Sequence, residues 1–495
     1  MILIAFIACT IAAILLIAIS HTANRMNLVC AVQAILFTII TVFIILLNAV
    51  PVSSFMIGNQ FFFIDHLGVF EILITSVIFS LAAIYARGYV TGLLESGELE
   101  KGSLKLFYAA WALLLLIIVL AFCSDNLALF WIFAELTTIT SAILIATLSA
   151  RENIDAAIKY IFVASVAMLF SFVGLIFLFE TSRMVLGAGA GTLNWTELMQ
   201  HAATFPPGMM VAASALIFIG FAAKSGIFPF HTWLPEAHAK APSAVSAILS
   251  GVLLNVGIYG ILRMVAIAHQ NAAITTITPL IGLFGVLTIA IAAVSMLPQK
   301  NLKKLIAFSS VENMGLLLIG IAVCTPLAIF WVLFHVMAHS LTKASLFFSA
   351  GILHRQYRSH LSSNAIDEIR DVFRLQPLAA WGIILGSLAI VGMPPFPIFF
   401  SKLFILLGLG AVSPIVLAVV LVLLFIAAVA LGYFVITAFT QVSPPGASSD
   451  IEQYHTPISM KVPIVILLCL IVILGIIFTT GEISFFNQIL GELRF

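Results

Sequence analysis

Three basic side chains on one apolar stretch pose the first chemical question. The run FWVLFHVMAHSLTKASLFF places His335, His339 and Lys343 at i, i+4 and i+8. Each step of four residues turns a helix through about 400°, so the three share an arc of about 80° and span about 12 Å along the axis. Histidine changes charge near neutral pH, and side-chain reach with water bridges such gaps, so the stripe has the make-up of a proton relay. Metal ligation by the two histidines is the other chemistry open to them. No carboxylate or cysteine near them in the sequence supports it.

A second group surrounds Lys224 in FIGFAAKSGIFPFHTWLPEAHAKAP (218–242). The apolar segment runs up to Lys224, breaks at Gly226 and Pro229, and restarts through His231, Trp233 and Pro235, with His238 just beyond. A lysine at membrane depth costs about 3 kcal/mol and is normally kept for a task. The alternative is a lysine that snorkels from a helix end. A broken helix at that depth must be enclosed by protein or line a wet cavity. Glu135 lies ten residues past Asp125 in an apolar stretch, which on a helix is about 15 Å deep, close to the midplane. A carboxylate there calls for a cation, and Lys224 is the expected partner. Such a pair works as a switch that holds a proton when closed and passes it on when open. A buried ion pair that only fixes helix packing is the competing account.

The later part of the chain offers a counterpart. GMPPFPIFFSK (392–402) is a second break, and Lys402 beyond it is placed to hand protons to the far side. Glu312, in IAFSSVENMGLLL, is a second acid inside the apolar region, with Ser309, Ser310 and Asn313 as polar company. A lysine in that half needs an acid of its own, so Glu312 is expected to approach Lys343 or a water beside it. Asp65, Glu71, Tyr85 and Arg87 read as packing or interfacial residues, and Asp155 with Lys159 as a local i,i+4 pair.

These residues imply a membrane around them. Of 495 residues, 63% are hydrophobic and only 8% are charged, with a mean hydropathy of +1.23, which no soluble globular class matches. The fold class is therefore an all-α polytopic membrane protein. A net charge of +1 offers no surface for nucleic acid. The cysteines, Cys9, Cys30, Cys123, Cys324 and Cys469, have no C-x-x-C or C-x-x-H spacing. That speaks against zinc, haem or iron–sulfur ligation, and GxGxxG and Walker sequences are absent too, so no cofactor is expected in this chain. The segment 2–19 lacks a basic n-region and a cleavage site and reads as a retained first span.

Crossing the bilayer takes about 20 apolar residues. By that measure the chain holds about fourteen spans, at 2–19, 27–50, 61–86, 105–123, 125–149, 155–180, 209–238 (broken), 241–264, 275–297, 304–324, 326–353, 377–411 (broken), 415–440 and 462–480. The broken seventh and twelfth spans are five apart, and an odd offset requires inverted repeats. The expected division is an N-terminal three-span segment (1–104), a first inverted repeat (105–264), a second (265–440), and a C-terminal loop with the last span (441–495). Placing both termini outside puts Arg25, Arg87, Lys101, Lys105, Arg151, Lys159, Lys240, Lys300, Lys303, Lys304, Arg355, Arg358, Arg370, Arg374 and Lys461 on the inner side. Only Arg183, Arg263 and Arg494 then fall on the outer side. The asymmetry favours a multi-pass protein of the inner cell membrane with both termini periplasmic.

Five motifs carry a resemblance over nearly the whole chain. They are FWIFAE (130–135), KSGIFPFHTWLP (224–235), LKKLIAFSS (302–310), the His335-x3-His339-x3-Lys343 stripe, and GMPPFPIFFSK (392–402). In this order they resemble the antiporter-like subunit family. Its members are the large proton-pumping membrane subunits of respiratory complex I, the Mrp cation/proton antiporters and the group 4 membrane-bound hydrogenases. The run APSAVSAILSGVLLNVGIYG (241–260) is most similar to the F-type subunit of hydrogenase-4 and formate hydrogenlyase-like complexes. The chain departs from many relatives at Asn255, where they carry lysine or histidine, and at Asn313, where they carry histidine. It is also expected to lack the long lateral helix of the distal complex I subunit.

The resemblance implies that Glu135 and Lys224 form the modulating pair, with a polar axis through His335, His339 and Lys343 to Lys402. It implies an ion-translocating subunit, for protons or Na+, with other membrane subunits and a peripheral redox arm as partners and lipid around it. [NiFe] and Fe–S centres are then expected only in those partner subunits. An Mrp-type antiporter module and a membrane subunit of a non-redox, inorganic-carbon uptake complex fit the same motifs.

Overall fold

The computed structural model describes residues 2–51, 61–148, 150–187, 191–357, 369–441, 452–477 and 484–495. Among them the chain is helical and forms no strand. It begins with α1 (Ile2–Ile19), α2 (Ala23–Leu46), α3 (His66–Glu95), α4 (Leu104–Phe122), α5 (Leu127–Ala146) and α6 (Arg151–Leu186). The short α7 (Trp195–His201) precedes α8 (Pro207–Lys224) and α9 (Trp233–Lys240), the two pieces of the broken seventh span. Then α10 (Ser243–Ile248) and α11 (Leu254–His269) make one rod through a π-helical turn at Leu249–Leu253. Next come α12 (Ile274–Met296), α13 (Leu302–Val323), α14 (Pro326–Gln356) and the short α15 (Val372–Leu375). The pieces α16 (Pro377–Val391) and α17 (Pro397–Val412) form the second break, and α18 (Pro414–Thr440), α19 (Ile458–Ile477) and α20 (Ser484–Glu492) follow.

Among the described residues, 13 helical segments are long and apolar enough to cross a membrane, and α16 and α17 add two shorter apolar helices. Taken as one broken span, that pair gives the expected fourteen. Arg358, counted on the inner side, lies outside the described residues.

Local chemistry sets the ends. Asn126, Asn301 and Thr325 cap α5, α13 and α14 by accepting from backbone N–H groups of the first turn. Proline opens α8, α14, α16, α17 and α18, where its missing N–H would have been unsatisfied anyway.

Enclosure differs sharply between helices. The most apolar windows of the Ser243–His269 rod, α13 and α14 are 100%, 89% and 83% buried, against 22% for α1 and α18. The rod with Asn255 and the helices that carry Glu312 and the His335–Lys343 stripe are thus the most enclosed, as the cost of exposing a charge to hydrocarbon demands. Leu15, Ile19, Phe425 and Tyr433 on the outer helices turn outward.

Two expectations about charges are corrected here. Arg263 is not a loop cation. It is buried, pairs with Asp65 at 2.7 Å, donates to Tyr259 Oη at 2.7 Å and lies 3.8 Å from the centre of the Trp195 ring. It ties the start of α3 to α11 and α7, which explains Asp65 as a structural residue. Asp155 and Lys159 form no ion pair among the described residues. Glu152, one turn earlier, pairs instead with Lys240 of α9, which comes within reach through the tertiary fold.

Candidate functional site

The first part of the site is made by the way α8 ends. Lys224 is its last residue, and Gly226 takes φ +67, a left-handed conformation that glycine adopts without strain. A Cβ at Gly226 would also crowd the tip of the Leu234 side chain. The break leaves carbonyls without helical partners. Trp233 Nε1 donates to Ala223 O at 3.0 Å and so covers one of them, while Ser225 Oγ donates across to Leu254 O at 3.1 Å.

Lys224 is only 1% exposed, and its Nζ donates to Thr138 Oγ1 on α5 at 2.6 Å. Glu135 sits one turn before Thr138. It does not make the expected ion pair: Glu135 Oε1 accepts from Ser165 Oγ of α6, and Oε2 is buried without a protein partner among the described residues. Thr138, which holds Lys224, is one turn from Glu135 on the same helix, so the two side chains stay in one neighbourhood. Each is held by a hydroxyl in place of the other.

The stripe on α14 is continuous with the second break. His335 and His339 lie nearly parallel, with ring centres 6.3 Å apart and an interplanar angle of 16°. His335 Nδ1 is 2.8 Å from Ser401 Oγ on α17, the residue before Lys402. Lys343 Nζ donates to Ile306 O at 2.7 Å and to Ser309 Oγ, both on α13.

Glu312 makes its direct ion pair with Lys402 and reaches the neighbourhood of Lys343 only by way of Ser309. Glu312 Oε1 pairs with Lys402 Nζ at 2.8 Å, and Glu312 Oε2 accepts from Asn313 Nδ2 at 2.6 Å. The left-handed Gly392 (φ +90) ends α16, and after the turn that follows α17 packs with Lys402 against Glu312 of α13. Ser309 lines a small cavity together with Glu312 and Lys402, so Lys343 and the ion pair adjoin one space.

The remaining candidates fall on two sides. His238 is fully buried on α9 and stacks on Phe347 of α14, one turn beyond Lys343, at 5.1 Å. It therefore adjoins the α14 stripe more directly than it adjoins Lys224. His231 is buried in the break, with its ring 6.0 Å from that of Phe228, and no described hydrogen bond joins it to Lys224 or His238. Among the described residues, no group of three or more His, Cys, Asp or Glu side chains is placed to hold a metal ion.

Sequence reasoning missed the hydroxyls at Thr138, Ser165 and Ser401. Nothing in the sequence marks them, because serine and threonine in membrane helices commonly bond back to their own helix carbonyls. Several do so here, among them Thr10, Thr41 and Thr140.

The comparisons with known proteins now bear on this geometry. The transmembrane family described as NADH:quinone oxidoreductase/Mrp antiporter matches residues 124–428, which contain every candidate residue named above. The chain belongs to that family. It is 32% identical over 402 residues to a hydrogenase-4 component F homolog of Methylacidiphilum infernorum (isolate V4), covering 81% of this chain and 83% of that one. It is 28% identical over 421 residues to NADH-quinone oxidoreductase subunit N of Desulforudis audaxviator (strain MP104C), covering 82% and 80%. Against hydrogenase-4 component B of Escherichia coli (strain K12) the match is 28% over 359 residues, and it spans 68% of this chain but 49% of the relative. Two solved structures share the fold. A chain of the archaeal membrane-bound sulfane sulfur reductase has a TM-score of 0.83 at 22% identity, covering 99% of this chain and 96% of that one. A chain of the Mrp complex from Dietzia sp. DQ12-45-1b has 0.81 at 19%, covering 99% and 95%.

Proposed function

We propose that this antiporter-like membrane subunit carries protons across the membrane within an energy-converting redox complex of the hydrogenase-4 or complex I type. One observation carries the reading: the Glu312–Lys402 ion pair lines a small cavity together with Ser309, and Ser309 accepts a hydrogen bond from Lys343 of the His335–His339 stripe. Titratable groups gathered at that depth are costly and are retained for ion paths. The route begins at an inner-side inlet near His238 and uses Lys224 gated by Glu135. It continues along His335, His339 and Lys343 and leaves through Lys402 with Glu312. His231 stands at the break as a secondary proton site.

In this reading 105–264 and 265–440 are inverted repeats behind the three-span segment 1–104, the segment 441–495 closes the chain, and both termini face the periplasm. Other membrane subunits and a peripheral redox arm complete the complex, and [NiFe] and Fe–S centres reside there. The likeness to the Mrp complex chain supports a second reading, a cation/proton antiporter module in which Na+ moves as well.

Vesicles containing the intact complex test the first reading. Lys224→Ala should stop proton uptake while the subunit still assembles, because the change removes the proton carrier. Uptake at the wild-type rate by that variant would remove Lys224 from the mechanism. Replacing K+ by Na+ in the medium leaves the rate unchanged in the first reading and alters it in the second.

A further inference from the structure

We propose that Glu71 of α3 is a further proton-carrying residue, which joins the two halves of the path through Asn255 of α11 and Ser340 of α14. The inference rests on the proton-translocating reading above.

Glu71 is 1% exposed. Its Oε2 accepts from Asn255 Nδ2 at 3.2 Å, and the same nitrogen lies 3.1 Å from Ser340 Oγ and 3.3 Å from Gly251 O of its own rod. Ser340 follows His339 in α14. On the other side Leu254, the neighbour of Asn255, accepts from Ser225, and Ser225 follows Lys224. Two successive residues of α11 therefore touch the turn that carries Lys224 and the turn that carries His339. Between those turns α11 itself offers an amide, which donates and accepts hydrogen bonds but does not take up and release protons. The carboxyl that can do so arrives from α3.

The surroundings favour a carrier over a packing residue. Among the described residues no cation pairs with Glu71, and its hydrogen-bond partner is a neutral amide. A buried carboxyl without a cation is expensive, and an apolar side chain would fill the space at less cost. Thr75 Oγ1, one turn further along α3, and Asn255 Oδ1 are buried without protein partners among the described residues, as are both ring nitrogens of His339. Buried polar atoms of this kind are commonly satisfied by ordered water, and water held there would link them. The π-helical turn at Leu249–Leu253 ends just before Asn255, and such turns recur at functional sites. It also packs Gly251 against Ser340, where a Cβ would stand 3.0 Å from the Ser340 carbonyl oxygen. In one cycle the carboxyl accepts one proton from the Lys224 side and releases one toward His339. Its charge is restored, and no oxidant or reductant is consumed.

The test uses the intact complex in vesicles, with Glu71→Gln, Glu71→Asp and the double variant Glu71→Gln/Asn255→His compared with Lys224→Ala. Glu71→Gln is expected to slow proton uptake by about 100-fold, the lower range for losing a proton-transfer group. Glu71→Asp should keep most of it, and the double variant should recover it by returning a titratable group to the same place. Infrared difference spectra should contain a carboxyl carbonyl band that disappears in Glu71→Gln. Wild-type uptake by Glu71→Gln, where Lys224→Ala is inactive, overturns the role of Glu71 and leaves the proposed function standing. Wild-type uptake by Lys224→Ala overturns the function itself. A Glu71→Gln complex that fails without recovery in the double variant, and without a lost carboxyl band, makes Glu71 structural and also overturns the inference.

Discussion

The two acid–lysine sets are built from the same residue types and stand in different states. Glu312 and Lys402 touch at 2.8 Å, and the spare carboxylate oxygen is bonded by Asn313. Glu135 and Lys224 are apart, and each is held by a hydroxyl, Ser165 for the acid and Thr138 for the lysine. A buried ion pair is favourable only in good geometry with its remaining hydrogen bonds made, which describes the second set. A lysine resting on a neutral hydroxyl close to an acid has a second position available to it. The closed set thus resembles a latch and the open set a switch, and a path with one of each can pass a proton in steps.

Several measurements would break or sharpen this contrast. The largest effect is expected from Lys224→Ala beside Lys402→Ala. Both should lower proton uptake by about 100-fold or more, the range for removing a proton-transfer group. If only one does, the two lysines are not counterparts.

The acids should separate the latch from the switch. Glu312→Gln leaves Lys402 buried without its partner, a loss of about 3–5 kcal/mol for such pairs. It should lower both uptake and the thermal midpoint. Glu135→Gln removes no ion pair and should slow uptake with the midpoint nearly unchanged. Equal shifts in midpoint would erase the distinction drawn from the geometry. Because Ser309 brings Lys343 to the same space, Lys343→Ala combined with Glu312→Gln should be no slower than Lys343→Ala alone.

A smaller effect is expected at the hydroxyl that holds the switch open. Thr138→Val removes the described partner of Lys224 Nζ, a hydrogen bond worth about 1 kcal/mol, or roughly a fivefold change in rate. An unchanged rate would mean that Lys224 does not rest on Thr138 during turnover.

The smallest effect on uptake belongs to the third buried pair, which lies outside the proposed path. Arg263→Met leaves Asp65 uncompensated and should lower stability by about 3–5 kcal/mol. Uptake per assembled complex should stay the same. A selective loss of uptake would bring Arg263 and Asp65 into the mechanism.

Much of the architecture was legible because the bilayer is a severe solvent. It forces long apolar runs into helices, so the spans follow from hydropathy, and the two breaks follow from Gly226 with Pro229 and Gly392 with Pro394. The i, i+4, i+8 spacing put His335, His339 and Lys343 on one face before any coordinates, since helical periodicity is a local property.

Partner choice was not legible, because it depends on which helices adjoin and at what height. Glu312, Lys343 and Lys402 all lie in one half of the sequence, and only the packing of α17 onto α13 gives Glu312 to Lys402. Glu71 read as packing because nothing local marks it, and only the approach of α3 to α11 sets it against Asn255. Asp65 and Arg263 are 198 residues apart in sequence and meet through tertiary packing alone. The sequence by itself determined that Glu135, Lys224, Glu312, His335, His339, Lys343 and Lys402 stand in apolar runs, where each is costly, but it left Arg263 in a loop and Glu71 among packing residues. Only the tertiary structure decided which of them touch, because a hydrogen bond is made or lost over about 1 Å and no helix fixes the position of its neighbour that closely.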